Sequence, residues 1–345
     1  SSVDDTNIKK HIKFEIEKLQ TEKDIDIFFD EFITCWDEKQ FQKLENLIEF
    51  ILRIDIDPQN KQMVQLYSDE VTRKEIPHIL IEIVSIFTPN ELDQKNYNED
   101  LLDYVEKGQN IIVNSLRALD FLSYFLPEIA NFLIDFEIVE IICANIMTDY
   151  SDSARIAAIY LLNDLMRYID EYQYALYDRV LFKINEYPKF IKFLLNKFLS
   201  YKSQPENAQV EDYNLKKFQA VVDLASKIAR RSSSKKCASV IEAFRDDIIK
   251  IFLFSYETTP ECAIEATTGM FYLMRYKPEI IFYSFTENII KFTIDSDTPE
   301  VIYFLLQILK VCNLYLPDDR LIPIYSQIDF NCFNNNVFFR LIHRI

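Results

Sequence analysis

The chain has 345 residues, of which 49% are hydrophobic, so it can bury a sizeable core and disorder is excluded as its main state. Only two glycines, Gly108 and Gly269, are present, which excludes hairpins with glycine-dependent turns and glycine-rich phosphate loops. The formal net charge of -17 disfavours nucleic acid and anionic membrane surfaces as partners and favours basic proteins, although acidity also serves solubility.

Helical periodicity begins near the first residue. Asp57-Pro58 and Thr88-Pro89 each place a capping residue before a proline, which predicts helix starts at both points. Residues 1–75 are therefore predicted to form acidic N-terminal helices. Their apolar residues recur in three stripes at helical spacing, namely Ile8, Ile12, Ile16 and Leu19, then Phe28, Phe29, Phe32 and Trp36, then Phe41, Leu44, Ile48 and Ile51.

Proline-containing turns recur at a fixed offset in the C-terminal part. Thr259-Pro260-Glu261 returns as Thr298-Pro299-Glu300, and Pro278 corresponds to Pro317, both at an offset of about 40 residues. Segments 127–170 and 278–316 share one order, in which a short helix and a middle helix precede an acidic capped turn and a long helix. The sequence therefore predicts repeats of three helices.

The long helix of each repeat carries an Ala-x-x-x-Leu type of pattern. A polar, proline-containing stretch near 201–213 predicts a loop or an insertion within the repeat domain, which is expected to cover residues 76–345. Long helices are predicted at 118–125, 158–166, 220–228, 266–274 and 305–312.

On segments 127–170 and 278–316 the chain resembles the armadillo/HEAT family of helical repeat proteins. The resemblance implies an all-α fold, specifically a right-handed α-solenoid of about 40 residues and mostly three helices per repeat. The usual armadillo unit has a glycine between its first two helices, and this chain has none at Phe136 or Phe285, which implies a diverged member. The only tryptophan, Trp36, lies outside the repeats, which disfavours the importin-type adaptors with their tryptophan ladder.

In solenoids that this chain resembles, the third helices line a concave surface that receives a partner. Tyrosine and arginine are enriched in interface cores, which favours a partner-binding role for the outward face, whereas packing between repeats or solvation of the helices is the alternative. The register predicts ten residues on that face, namely Ser123, Tyr124, Arg155, Tyr160, Asn163, Arg167, Lys217, Tyr272, Arg275 and Lys310.

One basic run stands out in this acidic chain. It contains Arg230, Arg231, Ser232, Ser233, Ser234, Lys235 and Lys236. One interpretation is a solvated loop whose cations complement the C-terminus of the preceding helix. The others are a contact for an anion or a phosphopeptide, or a phosphorylation site, because two arginines shortly precede Ser233.

The residues that carry catalytic or metal chemistry are sparse. His11, His78 and His343 lie far apart in sequence, and the six cysteines include no Cys-x-x-Cys pair, so no metal or cofactor is predicted. The cysteines are predicted to be buried reduced thiols. No apolar stretch is long enough to span a bilayer and the N-terminus has no apolar signal core, so we expect a cytoplasmic or nuclear location.

The preferred hypothesis is a non-catalytic interaction scaffold or regulatory subunit that holds a basic or extended segment of a protein partner on its concave surface. The alternative is a structural component of a cytoskeletal or nuclear-transport assembly, which self-association would favour. An enzyme with a site around His78 is the third hypothesis, and it requires a deep pocket.

Overall fold

The computed structural model describes residues 21–54, 59–86, 110–146, 151–167, 173–187, 208–231, 237–258, 262–277 and 313–326, with a few single positions between these ranges. Within them the chain is helical throughout and contains no strand, so the all-α prediction is confirmed. The helices are α1 (Glu22–Asp37), α2 (Phe41–Ile51), α3 (Lys61–Arg73), α4 (Ile76–Ile86), α5 (Asn110–Phe125), α6 (Pro127–Asp135), α7 (Ile138–Ile141), α8 (Asp152–Leu165), α9 (Gln173–Asn185), α10 (Ala208–Arg230), α11 (Ala238–Thr258), α12 (Ala263–Tyr276) and α13 (Asp318–Ser326).

The first two helices follow the apolar stripes of the sequence. The stripe of Phe28 to Trp36 is buried in α1, and Leu44, Ile48 and Ile51 are buried in α2. Thr21 begins α1 with a reciprocal capping box, in which its side chain accepts from the Asp24 backbone and the Asp24 carboxylate accepts from the Thr21 backbone. The first predicted stripe, at residues 8–19, lies outside the described residues.

Helix α3 begins later than Asp57-Pro58 predicts. Its first residue is Lys61, and the side chain of Asn60 caps it by accepting from the Met63 N–H at 3.2 Å. The prediction of a helix start at Pro58 is therefore wrong, because the asparagine supplies a cap of equal quality nearer to the apolar run. The second predicted start, at Thr88-Pro89, falls outside the described residues.

The N-terminal helices pack onto one another and onto α5, so the predicted boundary near residue 75 lies within continuous packing. Helix α1 contacts α2, α3 and α4, while α5 contacts α2 and α4. The Lys74 ammonium, itself buried, donates to the carboxylates of Asp26 and Asp30 at 2.6 Å each and so ties the α3–α4 connection to α1. Asn114 of α5 donates to Glu49 of α2 at 3.4 Å.

Segment 127–167 has the predicted order of three helices. Pro127 lies in the first turn of α6, a π-helix at Ile142–Ile146 extends α7, and Ser151 caps α8 by accepting from Ala154 N–H at 3.3 Å. Glu137, between α6 and α7, has φ 63° and ψ 23°, the left-handed conformation that glycine adopts most easily. A non-glycine residue therefore makes the turn where the armadillo unit usually has glycine.

Three helices per repeat do not hold along the whole chain. Residues 238–258 form the single uninterrupted helix α11 between α10 and α12, so this part has two helices and differs from the predominant three of the prediction. The physical reason is that these residues contain no proline or glycine to end a helix within the segment. Most residues of the other predicted unit, 278–316, lie outside the described part. The same holds for residues 87–109 and for residues 197–207, which include the first half of the predicted loop or insertion.

Four long helices, α5, α8, α10 and α12, lie side by side and are called the helix row below. Each contacts the next one, and α4, α9 and α11 pack against the row. Neighbours in the row are parallel: Asp152 meets Lys217 at 3.5 Å, and further along the same two helices the carbonyl of Asn163 accepts from Lys227 at 2.8 Å. The two pairs have nearly the same sequence separation, 65 and 64 residues, as parallel helices require.

Small residues allow the row to pack closely. Ala118, Ala158, Ala220 and Ala266 are all buried, one in each helix of the row, as the Ala-x-x-x-Leu pattern predicts. Gly269 lies against the ring of Phe252 in α11, where an added Cβ would clash with the ring. Cys35, Cys143, Cys237 and Cys262 are buried free thiols, which confirms that prediction for the cysteines in the described residues.

Candidate partner-binding surface

The helix row presents one face that is not covered by α4, α9 or α11. Residues on this face recur at helical spacing and contact one another from helix to helix, close to the C-terminal ends of the row. We call this set the polar band. It consists of Asp120 and Tyr124 on α5, Asp164 and Arg167 at the end of α8, Asp223, Lys227 and Arg230 on α10, and Tyr272 on α12.

A stacked cation and ring join α5 to the end of α8. The guanidinium of Arg167 lies 3.7 Å from the centroid of the Tyr124 ring, and more than half of the tyrosine remains exposed. Contacts of this kind contribute about 0.5–1 kcal/mol at exposed sites. The pair therefore presents a planar cation beside an aromatic ring, both accessible to a partner.

Asp120 and Asp164 form a carboxyl pair behind this cation and ring. Burial, followed by the negative charge of Asp164, raises the pKa of Asp120 to about 8, against the opposing effect of Arg167 and Lys227. One Asp120 oxygen, Oδ1, is buried and has no hydrogen-bond partner among the described residues. Asp120 therefore keeps its proton to a higher pH than an ordinary aspartate does.

Lys227 connects α8 and α10 in the middle of the band. Its ammonium donates to the Asn163 carbonyl at 2.8 Å and to the carboxylate of Asp223 at 2.9 Å. The Asn163 side chain in turn donates to the Ala220 carbonyl at 3.0 Å. The positive charge of Lys227 is thus balanced by Asp223, and its main role is to hold two neighbouring helices in register.

A second cation and ring pair lies between α10 and α12. The guanidinium of Arg230 is 5.8 Å from the centroid of the Tyr272 ring, and its Nε is buried without a hydrogen-bond partner among the described residues. Two turns before Tyr272, burial and the nearby charge of Asp223 raise the pKa of Glu265 on α12. The band thus has an arginine and tyrosine pair at each end and carboxyl groups between them.

Three of the ten residues predicted on the outward face are buried, and for them that placement is wrong. Ser123 donates to the Asp120 carbonyl at 2.9 Å, Asn163 bonds to α10, and Lys217 pairs with Asp152. For Asn163 and Lys217 the reason is that α8 and α10 each lie between two neighbours in the row. Residues at the edges of their outward faces are therefore covered by the next helix, which the periodicity of one helix cannot show.

The other predicted residues lie on accessible surface to different extents. Tyr160 and Arg275 are exposed on α8 and α12, and Tyr124, Arg167 and Tyr272 belong to the polar band. Arg155 pairs with Asp152 at 3.1 Å and lies 5.4 Å from the ring centroid of Phe193, so it is engaged within the protein. Lys310 is exposed and helical, outside the thirteen helices defined above.

The basic run separates into parts with different surroundings. Arg230 ends α10 and faces the band, whereas Arg231 makes two bonds of 2.9 and 3.0 Å to the carboxylate of Asp178 on α9. Ser234 donates its N–H to the Arg231 carbonyl, and Lys235 is exposed. Ser232, Ser233 and Lys236 lie outside the described residues, so the phosphorylation hypothesis stays a prediction.

Several residues of this surface are not among the ten predicted ones. Asp120, Asp164, Asp223 and Lys227 belong to the band, and Arg117 is exposed on the same stripe of α5. The available signal was their helical spacing from residues already singled out, since Asp120 precedes Tyr124 by one turn and Asp164 follows Tyr160 by one turn. The carboxyl pair between helices has no signal in a single sequence.

His78, the centre of the enzyme hypothesis, lies on the surface of α4. Its ring is partly exposed, lies 5.0 Å from the Phe136 ring and has Glu82 at 3.5 Å on the same helix. In the described ranges, no three histidine, cysteine or acidic side chains come together as a metal-binding group.

Comparison with known proteins identifies no family for this chain. No family model matches it, and no match to it is found among the curated proteins. Of the helices that the structure describes, none has both the length and the apolar character needed to cross a membrane.

Proposed function

We propose that the protein is a non-catalytic interaction scaffold or regulatory subunit that holds an extended segment of a protein partner across the helix row. The proposal includes a right-handed α-solenoid related to armadillo/HEAT repeats, with the polar band on its concave side. The observation that carries it is the pair of arginine and tyrosine contacts, Arg167 with Tyr124 and Arg230 with Tyr272, on one face of successive parallel helices.

These side chains suit recognition because they are large, amphipathic and held before a partner arrives. Tyrosine and arginine dominate the energetics of many interfaces, and little rotamer freedom is lost on binding when stacking already holds them. Parallel neighbours also present equivalent positions at similar height, so a chain that crosses the row meets one helix after another. Buried free thiols are typical of a reducing compartment, which supports the proposed cytoplasmic or nuclear location.

The length of the bound segment follows from the geometry of the row. Packed helices lie about 8–10 Å apart, so four helices span about 25–30 Å between the first and last axes. An extended chain advances about 3.3 Å per residue, which gives a segment of about eight or nine residues. A segment of this size can be contributed by a tail or a loop of the partner.

Two exposed aromatic residues of nearly equal accessibility provide the test. A photo-crosslinking amino acid replaces Tyr160 on the helix row, where 40% of the residue is exposed, or Phe182 on α9, where 42% is exposed. In native extract, the proposal predicts one defined adduct from position 160 and none from position 182. Equal crosslinking from both positions, or a defined adduct from position 182 alone, would refute it.

A further inference from the structure

Within the described residues, four arginines of the helix row have no acidic partner, unlike the other arginines. Every other arginine whose side chain the structure describes has an acidic partner within the protein, namely Arg53, Arg73, Arg155, Arg179, Arg231 and Arg245.

Four arginines form no ion pair among the described residues, and they come one from each helix of the row. Arg117 is on α5, Arg167 follows α8, Arg230 ends α10 and Arg275 is on α12. Acidic residues outnumber basic ones by 55 to 38 in this chain, so arginines without an ion pair within the described part are unexpected, and their occurrence on one surface points to a ligand.

The carboxyl groups on the same surface do not neutralise these arginines. Asp223 is paired with Lys227 at 2.9 Å, and Asp120 is hydrogen bonded to Asp164. On this surface five basic side chains outnumber four acidic ones, so the local formal charge is positive, although the protein as a whole is strongly acidic. The basic residues are Arg117, Arg167, Lys227, Arg230 and Arg275, and the acidic ones are Asp120, Asp164, Asp223 and Glu265. This local positive charge favours an acidic partner, whereas the net charge of the protein favours a basic one.

We propose that the segment held on the helix row is acidic, with aspartate or glutamate side chains that pair with Arg167, Arg230 and Arg275. This inference rests on the proposed function and deepens it. The three guanidiniums belong to neighbouring helices and lie near their C-terminal ends, with Arg117 about 10 Å further back along α5. Single arginines spaced one per helix each fit one carboxylate, whereas phosphate sites usually gather several donors around one group.

The spacing of the helices also predicts the spacing of the acidic residues. A segment in the polyproline II conformation presents the same side every third residue, which corresponds to an advance of about 9.3 Å. Neighbouring helices in the row lie about 8–10 Å apart. Acidic residues at every third position would therefore meet successive arginines, with smaller residues between them.

The experiment is selection of peptides by the full-length chain from a library of random nonapeptides, at neutral pH and low salt. The result expected is enrichment of acidic peptides, with carboxylates at three-residue intervals and affinity that falls as salt is added. Arg167→Gln and Arg230→Gln are each expected to weaken the selected peptides by about tenfold to a hundredfold, because a charged hydrogen bond is lost. The matched controls Arg179→Gln and Arg245→Gln, on α9 and α11, should leave the affinity unchanged.

Arg167→Lys separates charge from stacking, since lysine keeps the charge but loses the planar contact with Tyr124. It is expected to bind more weakly than the unmodified chain and more tightly than Arg167→Gln. Thermal unfolding of each variant tests the competing role, in which the arginines only complement helix C-termini. If the loss of peptide affinity in each variant is proportional to its loss of thermal stability, the arginines do not contact the peptide directly.

The remaining outcomes distinguish this inference from the proposed function. Enrichment of basic or uncharged peptides that still protect Tyr160 from chemical modification would overturn the acidic assignment and leave the surface as a partner site. Peptides that bind only after phosphorylation, or a single-stranded oligonucleotide that competes at the same arginines, would also overturn it. If no peptide is enriched, or if every row variant binds normally, both the inference and the proposed function are wrong.

Discussion

Asp120→Asn should change how the stability of the protein depends on pH. In the folded protein burial and Asp164 raise the pKa of Asp120 from 3.8 to about 8, whereas in the unfolded chain the carboxyl has its ordinary pKa. Folding therefore takes up a proton between these two values. The contribution of Asp120 to stability is full below the unfolded pKa and is lost as the pH rises through the folded pKa.

The size of the effect follows from the width of this window. Each pH unit in which only the folded protein keeps the proton lowers the free energy of unfolding by about 1.4 kcal/mol, so about 4 kcal/mol is the ceiling between pH 5 and pH 8. Because a carboxyl group with a pKa of about 8 is already half ionised at pH 8, we expect about 2–4 kcal/mol. Asparagine keeps a donor toward Asp164 and carries no titrating proton.

The assay is urea unfolding of the unmodified chain and of Asp120→Asn at several values from about pH 5 to about pH 8. The variant should be close to the unmodified chain at the acidic end and more stable at the alkaline end. Asp246→Asn is the control, because that carboxylate is exposed and paired with Arg245. An unchanged pH slope in Asp120→Asn would show that the carboxyl pair is not protonated as described.

Three further substitutions test the packing, the turns and the basic run. Gly269→Ala should destabilise by about 1–3 kcal/mol in urea unfolding, because its Cβ would clash with the buried Phe252 ring, and Phe252→Leu in the same chain should restore part of the loss. Glu137→Gly should stabilise the protein by up to about 1 kcal/mol, because glycine adopts the left-handed backbone conformation of this position without strain. Glu38→Gly, at a C-cap with ordinary helical angles, should not stabilise it, and equal effects of the two substitutions would contradict this reasoning. Arg231→Gln should cost about 1–3 kcal/mol of stability without weakening partner binding, since its two bonds to a carboxylate lie within the protein; a loss of binding at unchanged stability would reverse this assignment.

The parts of the fold that the sequence predicts are those set by local chemistry. The apolar stripe of Phe28 to Trp36 predicts the buried face of α1, and the proline at 127 marks the first turn of α6. Where two local signals compete, the sequence is less decisive, as at α3, where Asn60 caps the helix in place of Asp57. The left-handed residue Glu137 could not be predicted, because glutamate has no preference for that conformation.

The site is less accessible to sequence reasoning than the fold is. Tyr124, Arg167 and Tyr272 could be placed on one face because a single helix determines which residues point outward. Whether a residue at the edge of that face is covered depends on the neighbouring helix, so Asn163 was placed on the surface although it is buried. Which arginines of the described ranges have an ion pair depends in part on contacts between residues far apart in sequence, such as Arg179 with Asp135 and Arg231 with Asp178.

The central claim is that a partner lies across the helix row. Hydroxyl-radical footprinting of the chain with and without the partner recovered by crosslinking measures this directly, because it reports the accessibility of individual side chains. The account predicts that oxidation falls at Tyr124, Tyr160 and Tyr272 and stays unchanged at Phe136 and Phe182, which are exposed elsewhere on the described surface. Protection of Phe136 or Phe182 with no change at the three tyrosines would contradict it.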